Sequence, residues 1–114
     1  MFSFKHLDLI NKKFSISHRK GNYLTKVIKR FKDLSSLKVV QDFLSNRSHG
    51  LRIHPIKWKE TTEPDGFKNL NKQLQDLTPY QFEISANKHG RIHGFLLDNI
   101  FFIVWFDPEH RLYK

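Results

Sequence analysis

The stretch "IFFIVWF", residues 100–106, is apolar at every position. Because it lacks alternation, a strand built from it needs cover on both faces, so it is expected to be a central strand. Ahead of it, Tyr80, Phe82, Ile84 and Ala86 alternate with Gln81, Glu83 and Ser85, the period of a half-buried strand. "NKHG", residues 87–90, has the composition of a hairpin loop. "RIHGFLL" then reads as the returning strand, and Asp98 with Asn99 as the turn into the apolar run. The C-terminal part of the chain is thus expected to be a three-stranded meander.

Helical spacing dominates earlier. Leu24, Val27, Ile28, Phe31 and Leu34 form one stripe, with Lys26, Lys29, Arg30 and Lys32 on the remaining surface. Ser35 and Ser36 offer an N-cap for a second helix carrying Leu37, Val40, Phe43 and Leu44, which Gly50 can end. "LRIHPIKW", residues 51–58, has strand composition, but Pro55 lacks a ladder donor and points to an edge. Phe67, Leu70, Leu74 and Leu77 predict a third helix stopped by Thr78 and Pro79, and residues 4–14 predict a short helix or strand. The expectation is a single α+β domain, residues 1–114, with an N-terminal helical hairpin packed on a small antiparallel sheet.

A chain of 114 residues suits one domain. It has no cysteine, which excludes disulfides and thiolate metal sites and is compatible with a reducing cytoplasm. Its longest apolar run is far short of the roughly 20 residues of a membrane span, and its lysine-dotted start does not read as a signal peptide. The net charge is +9 and uneven: residues 1–57 hold 13 Lys and Arg against 3 acids, residues 58–114 hold 7 against 8. A basic half favours a polyanionic partner, above all nucleic acid, or else an acidic protein, against the plain reading of a solvated basic surface. Lys26, Lys29, Arg30, Lys57, Lys88 and Arg111 are the candidate phosphate contacts, with Trp58 and Tyr113 as candidate stacking rings and His54 beside Lys57 on the rim.

If the hairpin closes near residues 87–90, Arg91 and His93 share one face and Glu83 lies opposite them. A short excursion after the last strand would bring back His110, Arg111 and Tyr113. Such a set suits RNA phosphodiester cleavage. Histidine or glutamate exchanges protons, and arginine holds the phosphate in a bidentate fork. The competing reading is that these are ordinary surface residues, with Asp107 capping a turn. A metal site at His89 and His93 is disfavoured, because Gly90 and Gly94 argue against a helix and Arg91 would repel a cation. No metal or cofactor is expected.

The order of helical hairpin, "YQFEIS", "GRIHGF", "NIFFIVWF" and "HRLYK" resembles the RelE/ParE-like superfamily of bacterial toxins. The resemblance spans residues 22–50 and 80–114; residues 51–79 have no counterpart, and the N-terminal strand usual in that fold is not evident in "MFSFKHL". It implies ribosome-dependent, metal-independent mRNA cleavage and a cognate antitoxin. It further implies phosphate stabilisation by Arg91, proton transfer or phosphate contact by His110 or Arg111, and stacking or acid chemistry by Tyr113. Glu83 and His93 complete the candidate catalytic set. ParE-type members instead inhibit gyrase, and a non-catalytic basic binding module is the alternative outside the superfamily.

Overall fold

A computed structural model describes residues 2–14, 21–34, 52–85 and 88–113. The chain is α+β, built on a five-stranded mixed sheet. Its elements are β1 (Phe2–Ser3), α1 (Gly21–Leu34), β2 (His54–Pro55), a one-turn α2 (Lys72–Gln75), β3 (Pro79–Ser85), β4 (Lys88–Leu97) and β5 (Ile100–Asp107). The strand order is β1-β5-β4-β3-β2. β3, β4 and β5 form the expected meander, and β2 pairs antiparallel with β3 at the edge that Pro55 suggested. β1, which the sequence did not reveal, pairs parallel with β5, placing Phe2 against Phe101.

As its uniform apolarity requires, β5 is covered on both sides. One face gathers Tyr23, Val27, Ile53, Phe82, Ile84, Ile92, Phe101, Ile103 and Phe106 under α1. The other gathers Phe14, Ile56, Phe67, Leu70, Phe95, Val104, Trp105 and Leu112. Residues 52–78 supply most of that second cover as loops and short turns. The predicted third helix shrinks to α2, begun by the Asn71 side chain accepting from the Leu74 amide; its expected anchors Phe67 and Leu70 are buried from the turns before it.

α1 also sits differently from the predicted stripe. Tyr23, Val27 and Arg30 are buried against the sheet, while Leu24 and Ile28 face outward. Arg30 is therefore not a surface cation. Its stem is buried and its Nε donates to the Ile84 carbonyl at 2.6 Å, satisfying a main-chain acceptor at the sheet. The expected second helix of the hairpin lies outside the described residues.

A β-bulge decides where the polar residues go. His93 faces Trp105 across the ladder, but Gly94 faces Ile103, so Val104 is the extra residue of β5. Val104 and Trp105 consequently both enter the second core, and Asp107 follows Trp105 onto that side. Two glycines permit the close approach of β4 to β5. A Cβ on Gly94 would lie 2.1 Å from the Phe102 carbonyl oxygen, and one on Gly90, at φ +80°, only 1.9 Å from that of Asp107. Gly90 is thus a strand residue inside β4 rather than the end of a loop: the residues 88–90 assigned to the hairpin loop already belong to the ladder. Among the described residues, no helix is long and apolar enough to cross a membrane.

Candidate functional site

Two polar rows cross the second face of the sheet, side by side. In one, His54, Gln81, His93 and Trp105 stand directly opposite one another on β2, β3, β4 and β5. In the other, Glu83, Arg91 and Asp107 do the same. Where these rows leave the apolar cover they open into a cleft of about 450 Å³ lined by Arg52, His54, Gln81, Glu83, Arg91, His110 and Tyr113.

The carboxylate of Glu83 is the buried anchor of the second row. It is 2% exposed, and its Oε1 lies 3.1 Å from Nη2 of Arg91 and 3.4 Å from Nη1 of Arg52. Arg91 is largely buried, whereas Arg52 is mostly solvent-exposed. Two guanidinium groups thus meet one carboxylate at the cleft.

The C-terminal segment is folded back by Asp107. Its two carboxylate oxygens accept the amides of Arg111 and Leu112 at 2.7 and 2.9 Å, and its carbonyl accepts the His110 amide. His110 takes a left-handed conformation, φ 55°, at the corner. Leu112 is buried as a plug and its carbonyl accepts the Thr62 amide, while Tyr113 bridges to Thr61. Tyr113 Oη then accepts the Lys57 amide at 2.9 Å, and its ring meets His54 edge-on at 5.9 Å between centroids.

Burial shapes the titrations. Burial first, then the charge of Arg91, holds His110 below the ordinary histidine value. Burial raises the carboxyl of Asp107, against the two amides that favour its ionised form. His93 is wholly buried, with Phe14 and Trp105 packed edge-on against its ring, and burial drives its pKa down to about 3.

Of the expected catalytic set, Glu83, Arg91, His110 and Tyr113 converge on the cleft. His93 does not: it shares their sheet face but is covered by the second core and reaches the cleft only through Gln81. Lys57 is exposed beside Tyr113, with Nζ 4.0 Å from Glu60. Arg111 is exposed and paired with Glu109. Lys29 is exposed and Lys26 half-buried on α1, the helix that covers the opposite face of the sheet. Lys88 lies in β4, and its side chain is outside the described residues. Trp58 packs against Phe67 and Trp105 instead of standing free for a base. Sequence reasoning missed Arg52 and Gln81 and left His54 as a rim residue. The available signal was Pro55: an edge strand beside β3 puts His54 across from Gln81.

Among the described residues, no three His, Cys, Asp or Glu side chains are grouped to hold a metal ion. No protein-family model, curated protein or solved structure matches this chain.

Proposed function

We propose that this chain is a toxin-like, metal-independent endoribonuclease that cleaves mRNA, with the ribosome as its setting, the cytoplasm as its compartment and a cognate antitoxin as its neutralising partner. The observation that carries this reading is the meeting of Arg52 and Arg91 with His110 and Tyr113 in one cleft. The pairing of β1 beside β5 adds support, because it supplies the N-terminal strand usual in the RelE-type fold.

In this mechanism Arg91 and Arg52 hold the scissile phosphate. His110, kept neutral near physiological pH by burial and Arg91, takes the proton of the 2′-hydroxyl. The 2′-oxygen bonds to phosphorus, the P–O5′ bond breaks, and the guanidinium groups carry the extra charge of the phosphorane. The Tyr113 hydroxyl, whose oxygen already accepts the Lys57 amide, gives its proton to the leaving 5′-oxygen and recovers one from His110. The products are a 2′,3′-cyclic phosphate and a 5′-hydroxyl.

The test is cleavage of single-stranded RNA, alone and on programmed ribosomes, with the ends mapped. Cleavage should persist in EDTA and fail at a 2′-deoxy position. His110→Ala and Tyr113→Phe should each lower kcat by about 10²–10⁴-fold. Because His110 acts as a base with a lowered pKa, kcat/KM should rise with pH through a value below 6.5 and be level at neutral pH. Unchanged cleavage in both variants would remove the site assignment.

A second reading rests on the exposed Lys29 and the half-buried Lys26 of α1, across the sheet from the cleft. It makes the chain a basic binding module for nucleic acid or an acidic protein. Charge reversal at those lysines would then abolish binding, whereas the cleft variants would bind normally. Growth arrest without RNA cleavage would instead direct attention to gyrase.

A further inference from the structure

The row from His93 to His54 contains one proton arrangement that its buried end dictates. His93 Nε2 faces two acceptors, Gln81 Oε1 at 2.9 Å and Asp107 Oδ2 at 3.8 Å. Its other nitrogen, Nδ1, is buried without a hydrogen-bond partner. A proton on Nδ1 would be an orphaned buried donor, and the bare Nε2 would face the Asp107 carboxylate. The proton therefore sits on Nε2. That choice turns the Gln81 oxygen toward His93 and its amide nitrogen toward His54, where Nε2 to Nε2 is 3.2 Å. His54 must accept there, so its own proton sits on Nδ1, 2.9 Å from the Pro55 carbonyl.

We propose that Gln81 and His93 are positioning residues: through the Gln81 amide, the buried His93 fixes the tautomer and ring of His54, which in turn seats Tyr113 at the cleft. Both nitrogens of His54 are engaged, so it is a wall and not a proton carrier. Its ring edge against Tyr113 and the Lys57 amide on Tyr113 Oη together set where the phenolic proton points. The row belongs to strands that place the same residues opposite each other from β2 to β4, so the alignment is rigid. The charged or titratable groups near the buried end are Asp107, Arg91 and His110; at the open end His54 faces Gln81 and Tyr113.

The consequence for catalysis rests on the nuclease reading, but the tautomers do not, and they are measured separately. In the full chain labelled with ¹⁵N, two-bond proton–nitrogen correlations of the histidine rings at neutral pH should show His93 protonated at Nε2 and His54 at Nδ1. Gln81→Glu replaces the donor to His54 by a carboxylate oxygen, so His54 should gain a second proton while His93 keeps its tautomer. Gln81→Leu should lower kcat about 10- to 100-fold with KM unchanged, the expected cost of misplacing a reacting group. His54 protonated only at Nε2 in the native chain, or a singly protonated His54 in Gln81→Glu, would overturn the proposal. The expected tautomers in a chain that cleaves no RNA would uphold the relay and sink the nuclease reading.

Discussion

The two faces of the sheet are made by the same strands, offset by one residue, and they differ completely. Under α1, Phe82, Ile84, Ile92, Phe101 and Ile103 join one apolar cluster, with the buried Arg30 bonded to the Ile84 carbonyl beside it. On the other face, the apolar cluster around Trp105 gives way toward one end to Gln81, Glu83, His93 and Asp107, all nearly or wholly buried. Burying apolar surface stabilises wherever it occurs, whereas a buried polar group is tolerated only when it is bonded. The first face is thus built for stability. The second spends some of it to hold charged and polar groups in fixed directions.

The largest expected effect breaks the first face. Phe82 is 0% exposed and edge-on to Phe101, so Phe82→Ala should cost about 3–5 kcal/mol in chemical denaturation, by transfer and cavity terms together. A loss below about 1 kcal/mol would mean that this face collapses freely around the gap and is not the stabilising core of the sheet.

How far these two faces were legible in the sequence follows from where periodicity exists. Residues 80–85 alternate, so β3, its hairpin partner and the facing of Glu83 on Arg91 could all be read. The run from Ile100 carries no alternation and hence no phase, which hid the bulge at Val104 and the side taken by Trp105 and Asp107. β1 and β2 are two residues each, too short for any period, so nothing local pointed Phe2 to its partner, and for His54 Pro55 marked an edge without fixing the register. In α1, apolar residues at 23, 24, 27, 28 and 31 allow more than one inward face, and contact with β3 chose the one that buries Arg30. His93 alternates correctly, but its cover comes from Phe14, folding onto it from the N-terminal segment, and from Trp105, whose side the bulge set.

The second expected effect concerns the polar face. Arg91→Ala removes the largely buried guanidinium at 3.1 Å from the buried Glu83 carboxylate and leaves the exposed Arg52 at 3.4 Å. Breaking a buried pair from one side should cost about 3 kcal/mol, less than removing a core phenyl ring, because Arg52 still offsets part of the charge. Adding Glu83→Gln should recover much of that loss, since the stranded charge is gone. Additive losses in the double variant would show that Arg91 contributes by packing instead. This has a bearing on any activity assay: inactivity of Arg91→Ala alone conflates instability with lost phosphate binding, and the double variant separates them.

The smallest expected effect appears as a pH slope. His93 titrates near pH 3 in the native chain against an ordinary value of 6.5, so between those values the unfolded chain binds a proton that the native chain refuses. Stability must therefore fall as pH drops below 6.5, by roughly 2–3 kcal/mol at about pH 4.5. The lowered pKa of His110 acts in the same sense but more weakly, because its ring is partly in solvent. Asp107 opposes both. Its raised pKa lets the native carboxylate take a proton before the unfolded one does, softening the loss at the acid end. His93→Gln keeps a donor for Gln81 and removes the titration, so its urea midpoint should change much less over the same interval than that of the native chain. Parallel curves for the two proteins would place His93 in contact with water and would undo the contrast between a sealed polar row and an open cleft.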